Sequence, residues 1–241
     1  ADHVLIEDAT DGELKKALIP AATSATDSFT ISGSTPTLTI GDAGAEDTKI
    51  VFDGNAQDFH IGLDDSADDL VIGLGSTLGT TTHMSFDENG AILKPLQPCF
   101  MATIDYNGGN NCTGDGTTVI LGSSDATVTE RFDQGSDFSS GTFTAPVTGR
   151  YMIGGVLTMI NVASNHTEAR VDLEASNRTI YQRFNPNNYK TSQGPNGMGY
   201  SFGTLLDADA NDTIKLKFYL NGGSKDADTQ SDGNLFIYMV A

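Results

Sequence analysis

The densest group of chemistry-bearing residues in this sequence is acidic. Asp64-Asp65-Ser66-Ala67-Asp68-Asp69 places four carboxylates within six residues, and these are the hard oxygen donors that Ca2+ prefers. The stretch lacks the glycine and the closing glutamate of an EF-hand loop, so a solvated acidic turn competes with a cation site. Several copies meeting about an axis would favour the cation. His3, His60, His83 and His166 stand apart from one another in sequence, which suits packing or surface roles. Gly73-Leu74-Gly75-Ser76 lacks the lysine and the helix of a phosphate loop. No pair of carboxylates is set apart as acid and base, and no catalytic residue is predicted. Cys99 and Cys112 are too few for a disulfide framework or a metal cluster. They read as reduced thiols, with a single bridge left open.

Two long polar stretches carry the better binding candidates. The first, 185–197, holds Asn185, Asn187, Asn188, Tyr189, Lys190, Gln193 and Asn196, with Tyr200 just beyond it. The second, 221–233, holds Lys225, Asp226, Asp228, Gln230 and Asp232. Both lack helix or strand signals, and long loops in compact domains are often functional. Tyr189 and Tyr200 offer rings that can stack on a sugar or a peptide. An ordinary flexible loop is the competing reading.

These loops need a scaffold, and composition makes it β. The chain has 241 residues, 27 of them Gly, with many Thr, Ser, Asn and Asp, and no long run of strong helix formers. The net charge is −19, which argues against nucleic acid and against anionic surfaces. Charge is uneven: residues 1–98 carry 4 basic against 17 acidic side chains, and residues 99–241 carry 9 against 15. No run approaches the ~18–20 apolar residues of a membrane span. Ala1 is not an initiator Met, and no secretory signal follows it, so a processed chain or a fragment is expected. Trp is absent, which weighs against a polysaccharide depolymerase that grips glycans on aromatic platforms.

Three regions are expected. Residues 1–22 form a lead-in or attachment segment, with a strand at His3-Val4-Leu5-Ile6, a turn at Asp11-Gly12 and weak helical character over 13–19, ended by Pro20. Residues 23–98 hold a degenerate repeat of very short apolar runs, each followed by a Gly or acidic turn: Leu38-Thr39-Ile40, Ile50-Val51-Phe52, Phe59-His60-Ile61, Leu70-Val71-Ile72 and Met84-Ser85-Phe86. One such unit buries little, so an acidic β shaft intertwined among identical chains is expected, nearly unfolded as a monomer. Lys94-Pro95-Leu96-Gln97-Pro98 is a Pro-flanked linker. Residues 99–241 hold longer strand candidates at 100–106, 118–121, 141–145, 149–160, 166–175, 178–184, 197–206, 213–220 and 234–240. Several alternate apolar and polar residues, so a two-sheet antiparallel jelly-roll head is predicted.

The segment Phe143-Thr144-Ala145-Pro146-Val147-Thr148-Gly149-Arg150-Tyr151 resembles the core motif of the globular head of complement first-component q, within the tumour necrosis factor-like superfamily. Leu205-Leu206, Ala210–Ile214 and Asn234–Tyr238 resemble its later strands. Met152, Ile153, Gly154 and Gly155 depart from the family pattern, as does the short spacing from Phe138 to Phe143. The resemblance implies a jelly roll, with Phe143, Pro146, Gly149 and Tyr151 structural, and a trimer about a three-fold axis. Ser66–Gly73 and Phe86–Gly90 resemble repeats of bacteriophage tail fibres.

The expected protein is therefore a homotrimeric virion component of a phage tail fibre or tail tip. Its N-terminal part would join other tail proteins, and its head would contact a glycan or protein on the host surface. Two alternatives stand: a purely structural virion or capsid-decoration protein, and a secreted lectin-like relative of the complement family. The second would favour a collagen-like stalk, and none is present in residues 1–98.

Overall fold

The computed structural model describes residues 3–7, 14–18, 30–190 and 197–241. Strands β1 (His3–Glu7) and β2 (Leu14–Leu18) pair antiparallel, with His3 opposite Leu18. The helical character expected over 13–19 is thus corrected. Cross-strand pairing with β1 outweighs the mild helix preference of Leu-Lys-Lys-Ala-Leu. Asp11-Gly12 and Pro20 lie outside the described residues.

The repetitive region forms a five-stranded antiparallel meander. Its strands are β3 (Thr48–Phe52), β4 (Phe59–Asp64), β5 (Asp69–Leu74), β6 (Thr82–Phe86) and β7 (Ile92–Leu93), each paired with the next in the same chain. Leu38-Thr39-Ile40 forms no strand, which corrects that unit of the repeat. The register aligns apolar residues on one face. Leu63, Leu70, Phe86 and Ile92 form one row, Ile50, Ile61, Ile72 and Met84 a second, and Phe52, Phe59 and Leu74 a third. The middle of the opposite face is covered: Val71, Ser85, Leu78 and His60 are buried there, and His60 Nδ1 meets the Gly75 carbonyl oxygen at 2.8 Å, while Val51 and Leu93 on the outer strands are exposed.

The head contains β8 (Cys99–Ile104), β9 (Thr118–Ile120), β10 (Val128–Gln134), β11 (Phe138–Ser139), β12 (Thr142–Thr144), β13 (Gly149–Ile160), β14 (Glu168–Ala175), β15 (Arg178–Phe184), β16 (Met198–Ala208), β17 (Thr213–Asn221), β18 (Asp228–Thr229) and β19 (Asn234–Met239). One sheet runs β10-β8-β19-β13-β16, with β18 also on β13. The other runs β11-β12-β17-β14-β15, with β9 also on β17. The chain crosses between sheets at β8–β9, β9–β10, β10–β11, β12–β13, β13–β14, β15–β16, β16–β17 and β17–β18. Such crossing between two antiparallel sheets is a jelly roll. Alternation fixes the core: β17 buries Ile214, Leu216, Phe218 and Leu220, and β13 buries Tyr151, Ile153, Leu157 and Met159.

The corner between β12 and β13 carries the motif singled out in the sequence. Phe143 and Tyr151 are both 0% exposed and meet edge to face, with ring centroids 5.9 Å apart. Burial pushes the Tyr151 phenol up, so it remains a donor, and its hydroxyl donates to the Val147 carbonyl at 2.7 Å. Gly149 is required by close approach, because a Cβ there would sit 2.6 Å from the Ala241 backbone oxygen. Gly154 has a similar reason. A Cβ there would meet the Phe236 ring at 2.8 Å, so its absence lets that ring lie against the sheet.

A second corner is held by Asp133, whose carboxylate accepts from the Asp137 amide at 3.0 Å and the Phe138 amide at 2.9 Å. Asp137 sits beside it with its own carboxyl oxygen Oδ2 buried and unpartnered. Burial raises the Asp137 pKa, and the Asp133 charge adds to this.

Removing the Tyr151 hydroxyl in Tyr151→Phe is expected to cost ~1 kcal/mol, and Phe143→Ala ~3–5 kcal/mol, both read from chemical denaturation. The raised Asp137 pKa means that the folded head is favoured while this carboxyl is protonated. That contribution is lost as pH rises through the raised value. Asp137→Asn is therefore expected to raise the thermal midpoint at neutral pH and to lose its advantage in acid, as paired melts at the two conditions will show.

Candidate functional site

The head has two ends, and strand direction sorts the loops between them. β8 enters from Lys94–Pro98, and Met239 and Ala241 lie at the same end: the Met239 amide donates to the Pro98 carbonyl and the Arg150 amide to the Ala241 carbonyl. The corners at 145–148, 176–177 and 209–212 share that near end. The connections 105–117, 161–167 and 221–233, with residues 185–190, gather at the far end, at the other ends of β8, β13, β17 and β15. The described part of the first candidate loop therefore shares one tip with the second, although residues 198–220 separate them in sequence.

The candidate side chains at this tip divide into two groups. Several hold the tip together. Asn185 caps a single 3-10 turn over Pro186–Tyr189 by accepting from the Asn187 amide. The Asn187 side chain donates to the carbonyls of Ser164 and His166. Asp228, only 7% exposed, accepts from the Asn111 amide at 2.6 Å and from Asn161 Nδ2 at 2.8 Å. The Gln230 amide donates to the Thr158 carbonyl. The expectation that both loops lack regular structure is corrected by the 3-10 turn and by β18. Their Pro186 start and a buried Asp228 are what make those pieces form.

The second group faces outward. Asn188, Tyr189, Lys190, Lys225 and Asp232 are exposed, and Asp226 is half-buried. Tyr200 stacks on Phe184 with centroids 3.7 Å apart, and Tyr189 packs edge-on to both rings. Burial pushes the Tyr200 phenol up, with Tyr189 adding to the shift. Gln193 and Asn196 lie outside the described residues.

Further residues shape the tip, and His166 has the packing role expected of it. His166 is fully buried, and its Nδ1 accepts from the Ala163 amide at 3.0 Å. Nε2 faces the Ser224 carbonyl at 3.4 Å and Asp226 Oδ1 at 3.8 Å, so this ring joins two of the tip loops. Asn107, Asn110, Asn111, Ser124, Asp125 and Lys225 line a cleft of about 340 Å3 floored by Gly108, Cys112 and Val119. Only Lys225 among the six was singled out. The others were not expected as binding residues, because three separate loops supply the cleft.

The acidic run is the β4–β5 hairpin turn. Asp64 Oδ1 accepts from the Ser66 amide and hydroxyl, and the Asp65 amide donates to Asp47. Among the described residues, no three His, Cys, Asp or Glu side chains converge as a metal site requires. Asp64, Asp65, Asp68 and Asp69 are thus not gathered within one chain. Cys99 and Cys112 are unbridged. Burial pushes the Cys112 thiol up to about 11 and raises that of Cys99. No helix among the described residues is long and apolar enough to cross a membrane.

The outer faces of the two head sheets differ. On β14, β15 and β17 the face is charged and paired: Arg170–Asp172 at 2.6 Å, Lys217–Glu174 at 2.6 Å and Arg183–Glu168 at 2.9 Å, with Arg170 over the Tyr219 ring. On the β10-β8-β19-β13-β16 sheet the middle of the face is apolar, with Gln134, Thr103, Asn234 and the Arg150–Asp207 pair at its margins. Phe132, Met101, Phe236 and Gly154 form one row, and Cys99, Tyr238, Met152 and Leu205 the next. Phe132, Tyr238 and Leu205 are exposed.

No family model matches this sequence, and no curated protein matches it. Solved structures similar to it are jelly-roll-sized partial matches. Murine APRIL at pH 8.0 aligns at 10% identity and a TM-score of 0.39, over 60% of this chain and 99% of that one. PRD1 vertex protein P5 aligns at 12% and 0.40, over 61% and 99%. Rabbit GITRL aligns at 19% and 0.31, over 44% and 76%. The fold assigned here rests on the strand order given above.

The Cys112 thiol is expected to resist alkylation in the native protein at neutral pH and to react as pH approaches about 11 or on unfolding. Mass spectrometry of iodoacetamide adducts at each cysteine checks this.

Proposed function

We propose that this protein is a homotrimeric virion component, a bacteriophage tail fibre or tail-tip protein whose head meets the host surface with its far-end loops. One observation carries the reading: the meander and the head each present one sheet face that is apolar over most of its area, while the head's other face is covered by ion pairs. A face so poor in charge on a chain of net charge −19 calls for an equally apolar partner, and a second copy supplies one. Four strands about 17 Å long, with the short β7 beside them, at ~4.8 Å spacing give the meander a face on the order of 350 Å2. That is about half of the ~800 Å2 per partner of a stable interface, and the head's face supplies the remainder. Residues 1–22 would join the fibre to neighbouring tail proteins. Three tips per fibre would add weak host contacts into firm adsorption. A divalent cation such as Ca2+ at Asp64–Asp69 would need all three copies.

A purely structural virion or capsid-decoration role is the second reading. It is favoured by the internal use of Asn185, Asn187 and Asp228, which leaves fewer tip side chains for a receptor. No nucleic-acid or membrane-insertion role is proposed.

Light scattering is expected to give three times 25.4 kDa. Phe236→Glu, at the centre of the apolar face, is expected to dissociate that species while far-UV circular dichroism stays β. Dissociation by chelator would favour the axial cation. A folded monomer for the wild-type chain overturns the trimer. Adsorption of the labelled trimer to host cells separates the two readings: Tyr189→Ala with Lys190→Ala is expected to weaken it, and no adsorption at all leaves the structural role.

A further inference from the structure

We propose that the cleft at the far end of the head is a binding site for a single uncharged sugar ring, an inference that rests on the host-contact reading above. The cleft lies between the 105–117 connection, the tight turn at Ser124-Asp125 and Lys225. Its volume of about 340 Å3 is at the small end of the ~300–1,000 Å3 usual for ligand sites. That volume suits a ligand the size of one pyranose.

The cleft backbone is tied down. The Asn107 amide donates to the Thr229 carbonyl, the Asn111 amide to the Asp228 carboxylate at 2.6 Å, and the Cys112 amide to the Ala227 carbonyl. Asn107 and Asn111 are held at positive φ, 51° and 45°, a conformation that asparagine tolerates better than most residues. The side chains are not tied down. Among the described residues, the carboxamides of Asn107, Asn110 and Asn111, the Asp125 carboxylate and the Lys225 ammonium form no hydrogen bond or ion pair with the protein. A fixed frame keeps the backbone share of the ordering cost of binding low, while its exposed polar side chains are free to turn toward a ligand.

The polar groups set the ligand class. Three carboxamides each offer both donors and an acceptor, which matches vicinal hydroxyls or an acetamido group. Asp125 and Lys225 supply one charge of each sign, so the cleft as a whole favours neither an anion nor a cation. The chain's acidity further disfavours anions. The only apolar floor is Val119 beside Cys112, too small for the side-chain pocket that a peptide would need. No aromatic ring lines the cleft, so a single site binds weakly, and the three tips of a trimer supply the rest. The thiol in the floor takes no part, since burial keeps it protonated at neutral pH.

The test titrates the full-length protein with the methyl glycosides of galactose, glucose, mannose and N-acetylglucosamine, read by saturation-transfer NMR and by backbone amide shifts. Saturable millimolar binding of at least one sugar is expected, with shifts confined to 107–119, 124–125 and 225. Asn110→Ala and Asp125→Ala, both at exposed positions, are each expected to weaken it on the order of tenfold. Tyr181→Ala, on the charged outer face, is expected to leave it unchanged. Binding of none of the four sugars overturns the proposal. So does binding of free glycine in their place, or binding that the two cleft variants do not affect. Cell adsorption distinguishes the two levels. If the trimer adsorbs but the cleft variants adsorb equally well, the cleft assignment fails and the host-contact reading stands. If a sugar binds the cleft and no cell is adsorbed, the host-contact reading fails alone.

Discussion

The hydrogen bond from the Tyr151 hydroxyl to the Val147 carbonyl closes the corner on which the head is built. At this corner the chain leaves one sheet and begins the longest strand of the other. β13 then pairs with β19 and β16 along most of its length and with β18 at its far end. With Phe143 set edge-on against Tyr151, the two sheets are fixed at one separation before any loop at the tip is placed. Loop positions at the far end are therefore inherited from a corner at the near end. Buried Asp228 and His166 trim them there, tying three connections together.

A period-two pattern lets each sheet give its two faces different tasks. In the head, one outer face carries alternating charges that satisfy one another, and the other carries Met, Phe, Tyr and Leu in rows. In the meander, the Gly75–Thr81 segment covers the middle of one face and nothing among the described residues covers most of the other. A shift of register by one residue would reverse these roles and bury the acids instead. The turns that hold register matter for this reason: Asp64 with Ser66 at one hairpin, Asp87 with Asn89 at another. The acidic punctuation of the repeat is thus register chemistry first.

Much of the scaffold was legible in the sequence. The alternation in 213–220 and the long run 149–160 each became a strand with the expected buried face, and the Phe143–Tyr151 motif became the expected corner. Val128–Gln134 was missed because Thr-Glu-Arg-Phe-Asp is a solvent-facing outer strand whose exposed residues leave no alternation to read. The helical tint of 13–19 was misleading because pairing with β1 is non-local. The apolar runs of the repeat were visible, but their gathering on a single face depends on which residues pair. The tip was the least legible part. Asp228 looks like any loop aspartate until its two partners are seen, and the cleft is assembled from loops more than a hundred residues apart.

The segment between meander and head is not a free joint. The Gln97 side chain donates to the Met239 carbonyl at 2.7 Å, and Gln134 donates to the carbonyls of Lys94 and Gln97. Beyond it the chain runs directly into β8, which is bonded on one side to β10 and on the other to β19. A load applied between the two ends of the molecule would therefore travel along β8 and strain two ladders of hydrogen bonds in shear, all at once. Bonds loaded in parallel yield together, whereas those of a peeled hairpin yield one after another. The head is consequently built to stay whole when tugged by its stem, and to pass a twist or a tilt at its tip back into the stem as a rigid lever.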